Sequence, residues 1–312
     1  MEKYAKGEKK VKTIGLQQPK KPMSREDIGY NIIFGILFVL LSFICAYPFY
    51  YLLICTISNN QMVEVGAITF YPVGIHFDNY KKILEVENLG NSVLVTLART
   101  FFGTAMSVLV TAYTAYFFTR QEMWGKKFWY RFCVATMYFS AGMIPIYLNN
   151  RMLHLVNTFW IYIIPGMISV YNMVLIKTSM ESMPPDLEES AYLDGAGYLT
   201  RFFRIVLPLQ KPILATVALF AAVGHWNDFF TTKLYVTNPK LYTMQFLLYE
   251  LLNQVQAQAA QITNDTQLSA SAATPTSIRL TLTAFVILPI ILVYPFVQKY
   301  FTKGIMMGAV KG

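Results

Sequence analysis

Six stretches of this 312-residue chain are apolar runs almost without a formal charge. No formal charge lies between Asp27 and Glu64, and residues 32–57 are nearly all apolar. A second run covers 89–118 and is interrupted by Arg99 alone. The others are 132–148, 159–176, 212–226 (extendable backward through 205–209) and 280–297. A helix crossing a bilayer needs about 20 apolar residues. Transmembrane strands would instead alternate over about 10 residues, and no such alternation is seen. The pattern predicts an all-α integral membrane protein with six transmembrane helices, the fifth being the shortest run.

Composition agrees. Only 14% of the residues are charged, against about 25% in soluble domains, and 55% are apolar or aromatic. Seventeen acids and 26 bases cannot cover two soluble domains. Disorder is excluded by the same figures, because disordered chains are poor in apolar residues and rich in charge.

The net charge of +9 would suit nucleic acid, but the positions of the bases explain it otherwise. With six spans, one side receives both termini and the loops at 119–131 and 177–211. Nineteen bases fall there and six on the other side, namely Lys81, Lys82, Arg151, Lys233, Lys240 and Arg279. Bases gather on the cytoplasmic side, so both termini are expected in the cytoplasm and no nucleic-acid partner is expected. The first apolar run exceeds the core of a signal peptide, which is about 7–15 residues, and is read as an uncleaved first helix. Cys45, Cys55 and Cys133 all fall in spans and suit no disulfide or metal site.

One cytoplasmic loop, 181–208, stands apart. Pro184 and Pro185 break the preceding helix, and Asp186 with Glu189 forms a possible capping pair for a new one. Leu187, Ala191, Asp194 and Gly195 then describe a short helix ending at a glycine. Glu189-Ser190-Ala191, Gly195 after three residues, and Ile205-x-Leu207-Pro208 nine residues further on resemble the EAA loop of binding-protein-dependent ABC importer permeases. Ser190 departs from the usual alanine. Asn91-Ser92, Pro145-x-Tyr147, Asn157-Thr158 and the terminal Gly308–Gly312 are similar to the carbohydrate branch, that of maltose-type permeases. Val223–Asp228 and Lys240–Glu250 resemble permeases for complex oligosaccharides.

The resemblance implies a type I ABC importer permease fold, with a six-helix domain over 29–302 between a basic tail (1–28) and a C-terminal tail (303–312). The last part of that tail, 307–312, is expected to be small and flexible. The implied partners are a second homologous permease, two ABC ATPase subunits and an extracellular or periplasmic solute-binding protein. The sugar and the lipid bilayer of a bacterial plasma membrane complete the set. Coupling to the ATPase would fall to Asp186, Glu188, Glu189, Ser190, Ala191, Asp194, Gly195, Ala196 and Arg204. ATP and Mg would sit on the ATPase, since this chain has no Gly-x-x-x-x-Gly-Lys-Ser/Thr phosphate loop and carries no catalytic, cofactor or metal residue of its own.

Substrate contacts call for aromatic faces and fixed polar groups. Trp226, Asn227 and Asp228 at the outer end of the fifth span supply both, although an interfacial aromatic belt or helix packing would also place Trp226 there. Asn149 ends the third span. Arg99 lies ten residues into the second span, where a charge must face a wet cavity or a partner. It either lines the pathway, where it would suit an acidic sugar, or makes a structural contact with a carbonyl or the second permease. In the external loop 228–278, Leu241, Met244, Leu248, Leu251, Leu252 and Val255 share a helical face and suggest a surface-lying amphipathic helix. The 253–277 stretch has a linker composition. Two other classes remain: an importer permease for another small solute, and a secondary transporter, which would ordinarily place acids inside its spans.

Overall fold

A computed structural model describes residues 25–259 and 274–309, and every regular element among them is helical. Arg25–Thr56 forms α1, Asn60–Glu64 α2, Asp78–Leu84 α3 and Leu89–Thr119 α4. Lys126–Ala135 (α5) and Met143–Met152 (α6) follow, then single turns at Phe159–Tyr162 and Ile164–Gly166 before Val170–Glu181 (α7). Asp186–Leu193 is α8. Tyr198–Arg201 (α9) and Leu207–Leu209 (α10) flank a π-turn at Phe202–Val206. Lys211–Asn227 (α11), Phe230–Tyr235 (α12), Met244–Ala259 (α13) and Pro275–Ala309 (α14) complete the order.

The chain divides into two compact units, residues 1–50 and 51–312. In the first, α1 is apolar on every side, and its side chains from Tyr30 to Tyr50 are exposed all round. A helix with no polar face belongs in hydrocarbon or against another protein.

The second unit is organised around α4, which packs against α7, α11 and α13. Its buried stripe is Ser92, Thr96, Arg99, Gly103, Ser107, Thr111 and Ala115, at spacings of three and four residues. Its exposed side chains include Leu94, Leu97, Phe101, Phe102, Leu109 and Phe117. Small and polar residues inside with bulky apolar ones outside is the arrangement expected of helices packed within a membrane. The stripe is also hydrogen-bonded. Thr96 Oγ1 accepts from Met244 N at 2.9 Å and donates to Ser92 O at 2.7 Å. Thr111 Oγ1 accepts from Ser169 N at 3.3 Å. One apolar cluster joins Ala112, Tyr116, Met173, Ile176, Phe202 and Val217, and a second joins Ile83, Leu89, Met244, Leu247, Leu282 and Val286.

Several expected spans are not straight. Among the described residues, two helices are long and apolar enough to cross a membrane, 27–56 and 89–119, and up to five spans result if each bent pair counts as one. The expected 132–148 span is a pair, α5 and α6, bent by 120°. The extended, non-helical stretch before α6 ends at Gly142 with φ +86°, a conformation glycine tolerates. The 159–176 span breaks before α7 with a 49° bend, following Pro165. Residues 205–209 do not extend the fifth span: Tyr198–Leu209 meets α11 at 85°. Pro208 and Pro212 flank the bend, and the buried Gln210 holds it by accepting from Ser179 Oγ at 2.6 Å. The sixth run, 280–297, lies within the single helix α14.

Three further expectations change. Asp186 and Glu189 do not form a capping pair; α8 starts after Pro185 without a side-chain cap. The helix expected to lie on the surface over 244–255 is docked, with Met244 and Leu247 buried against α3, α4 and α14. In the tail expected to be flexible, 307–312, the backbone is helical as far as Ala309. Nearly all of the 1–28 tail and most of the 253–277 stretch lie outside the described residues.

In the α4–α11 contact, a Cβ added at Gly103 would fall 2.7 Å from the His225 ring. Gly103→Val is expected to cost about 1–3 kcal/mol through overpacking, seen as a lower unfolding midpoint in detergent. Gly90→Ala, on the same helix with open space around it, should leave that midpoint unchanged or raised.

Candidate functional site

Two places gather polar and charged side chains in the second unit. The first is a cavity of about 570 Å³ between α4, α6, α7, α11 and the 159–166 turns. Arg99 lies in its wall, only 3% exposed. One guanidinium nitrogen donates to the Asp228 carbonyl at 2.8 Å, and another is paired with the Asp228 carboxylate. The guanidinium carbon stands 4.6 Å from the centre of the Tyr162 ring. Asp228 in turn accepts from Thr231 N at 3.1 Å, so one carboxylate ties the end of α11 to both α4 and α12. The charge within α4 is therefore answered inside the chain.

Around this pair stand Asn150, Tyr162, Asn172, His225, Thr231 and Tyr235. Tyr162 is fixed through its hydroxyl, which donates to Leu241 O at 2.8 Å. Tyr235 is stacked on Tyr147 at 5.6 Å between centroids. Asn157 supports the rim. At φ +59°, its side-chain oxygen accepts from Thr237 N and Asn238 N at 3.1 and 2.9 Å. The cavity thus presents hydroxyls, amides and aromatic rings with balanced charge.

Of the sequence candidates, Arg99 and Asp228 line this cavity together. Trp226 does not: it is buried, and its indole N–H donates to Val286 O at 3.2 Å, which makes it a packing residue between α11 and α14. Asn227 is exposed and accepts from Gln245 at 3.3 Å. Asn149 is exposed outside the cavity, and its neighbour Asn150 is the one that turns in. Sequence reading passed over Tyr162, Asn172 and Thr231, which carry no local signal.

The second place is α8. Asp186, Glu189, Ser190, Asp194 and Gly195 are exposed, and Ala191 and Ala196 are half-buried. Gly195 adopts φ +80°, and Ala196 N donates to Ala191 O at 2.9 Å, closing the helix end. Arg204, on the π-turn, is exposed. Glu188 differs from its neighbours. Its carboxylate faces inward, accepting from the Tyr116 hydroxyl at 2.6 Å and from two Arg120 nitrogens, one at 2.6 Å. Arg201 stands 3.8 Å away, 5% exposed and packed on the Tyr192 and Tyr198 rings. Beside this cluster lies a cavity of about 540 Å³, also lined by Pro184, Pro185 and Glu189. Among the described residues, no group of three or more His, Cys, Asp or Glu is placed to hold a metal ion.

Residues 107–307 match the family described as binding-protein-dependent transport system inner membrane component. The chain is 33% identical over 281 residues to the polygalacturonan/rhamnogalacturonan transport system permease protein YtcP of Bacillus subtilis, covering 90% of this chain and 97% of that one. It is 28% identical over 280 residues to the maltodextrin transport system permease protein MalD of Streptococcus pneumoniae, covering 87% and 92%. A crystal structure of a bacterial ABC transporter involved in the import of the acidic polysaccharide alginate superposes with a TM-score of 0.80 at 28% identity, covering 90% of this chain and 99% of the matched one. With its polar-striped helices, its short exposed α8 and these likenesses, the chain belongs to the family of binding-protein-dependent transport system inner membrane components.

Proposed function

We propose that this chain is the permease subunit of an ATP-driven sugar or oligosaccharide importer in a bacterial plasma membrane, where it forms half of the translocation pathway. The observation that carries the reading is α8, an eight-residue helix with Glu189, Ser190 and Gly195 exposed, set between bent spans. A helix so presented suits docking into an ATPase subunit. The relatives' names point to carbohydrate, and the 570 Å³ cavity has the rings, amides and hydroxyls that sugars require.

In this reading the chain crosses the membrane six times, the three bent pairs each counting as one span, with both termini and α8 in the cytoplasm. Residues 29–302 form the permease domain between the 1–28 and 303–312 tails. It pairs with a second, homologous permease above two ATPase subunits that hold ATP and Mg, and an external binding protein delivers the sugar. Asp186, Glu189, Ser190, Ala191, Asp194, Gly195, Ala196 and Arg204 form the ATPase contact. ATP-driven closure moves α8 and opens the pathway outward, and hydrolysis resets it.

Two measurements test this reading. Gly195→Trp puts a bulky residue at φ +80° on the exposed end of α8. The subunit should still insert, while sugar uptake per ATP hydrolysed in reconstituted vesicles falls about tenfold or more; normal uptake would sink the assignment of α8. Arg99→Ala leaves the Asp228 carboxylate unpaired. Losing one partner of a buried pair costs about 3–5 kcal/mol, and about 2–3 kcal/mol is expected here because the Asp228 side chain is 28% exposed. Uptake of neutral maltodextrin and of acidic oligogalacturonate should then fall together, because Arg99 is occupied by Asp228. Loss confined to the acidic sugar would instead make Arg99 a uronate-binding group.

A further inference from the structure

Successive residues of a helix point about 100° apart, and α8 uses this to separate two adjacent glutamates. Glu189 is exposed, whereas Glu188 enters the Arg120, Tyr116 and Arg201 cluster. That cluster matters because little else fastens α8. None of its eight residues is buried, so hydrophobic packing contributes little to holding it. By contrast the Arg120 and Glu188 side chains are only 18% and 15% exposed, and the pairing is bidentate, the geometry that adds most strength and direction. Arg120 is steadied in turn by the Tyr116 ring, 4.4 Å from its guanidinium carbon.

Arg120 and Tyr116 belong to the end of α4, which continues unbroken to Leu89. Arg99 lies 21 residues from Arg120 along that helix, roughly 30 Å at about 1.5 Å per residue, and it is bound to the end of α11 through Asp228. Each end of this length of α4 is therefore held by a carboxylate from the 186–228 segment.

We infer that Glu188 is a positioning residue that passes motion of α8 to α4 through Arg120 and Tyr116, and so to the cavity wall that holds Arg99. Glu188 is then no part of the ATPase contact. The inference rests on the reading of α8 as the ATPase-docking helix.

The test uses the whole complex in proteoliposomes, with maltodextrin or oligogalacturonate as probe, whichever the wild type accumulates. Arg120→Gln and Glu188→Gln should each keep the ATPase subunits bound and hydrolysing. Each should lower sugar moved per ATP about tenfold, the size of an ordinary coupling between sites. Because both variants cut one link, the double variant should be no worse than either alone. Arg120→Lys, which keeps the charge but not the bidentate fork, should restore only part of the ratio. Unchanged ratios in the single variants, or multiplied losses in the double, would overturn the inference. Gly195→Trp run in parallel separates the two readings. If it uncouples transport while Arg120→Gln does not, the tie through Glu188 fails and α8 stands as the docking helix. If Gly195→Trp transports normally, the docking assignment fails and the inference falls with it. Should Arg120→Gln not assemble, Glu188→Gln decides: it leaves Arg120 in place and removes the ion pair, and a ratio equal to wild type would overturn the inference.

Discussion

A polar group placed in hydrocarbon has no water to turn to, so it must find its partner within the protein. That constraint shapes α4. The residues it hides are Ser92, Thr96, Arg99, Ser107 and Thr111, and the residues it leaves outside are leucines and phenylalanines. Three of these hidden groups each recruit a segment. Thr96 holds the start of α13, Thr111 holds the chain just before α7, and Arg99 holds the end of α11. The helices around α4 are placed by hydrogen bonds as much as by packing, which is how a bundle is specified where lipid offers little hydrophobic incentive for helices to associate.

The same constraint explains the cavity. An arginine within a span is costly unless a charge answers it, and Asp228 answers it from 129 residues away. Once neutralised, Arg99 becomes part of a polar wall that includes the uncharged Asn150, Asn172, Tyr162 and Thr231. Such a wall matches hydroxyl-rich solutes without a standing field that would trap an ion. Selection for acidic chains, if the complex has it, would then fall to its other components.

The long apolar helices α1 and α4 were legible from the sequence because length and scarcity of charge are local properties. The bends were not. Residues 139–142 are as free of charge as their flanks, so a charge-based reading runs through the 120° turn there, and the turn at Gln210 depends on a contact with Ser179 from another helix. The exposed face of α8 was readable from spacing, down to the glycine that ends it. What spacing could not reveal is that Asp228 pairs with Arg99, that Trp226 is sealed against α14, or that Asn150 rather than Asn149 turns inward. These depend on which helix lies opposite, and a single sequence does not state it.

The two glutamates of α8 show why so short a helix is constrained in length as well as in composition. If Glu189 meets the ATPase and Glu188 meets Arg120, the angle between the two contacts is set by one residue of helix, about 100°. An added residue between them would double that angle, and Glu188 and Glu189 could no longer satisfy both sides at once. Removing the tie would leave the exposed face intact but mechanically idle, since no apolar burial within α8 would resist its rotation. The outward contact and the inward contact are therefore one design, and the Arg120 at the end of α4 is as much a part of it as the Gly195 at the end of α8.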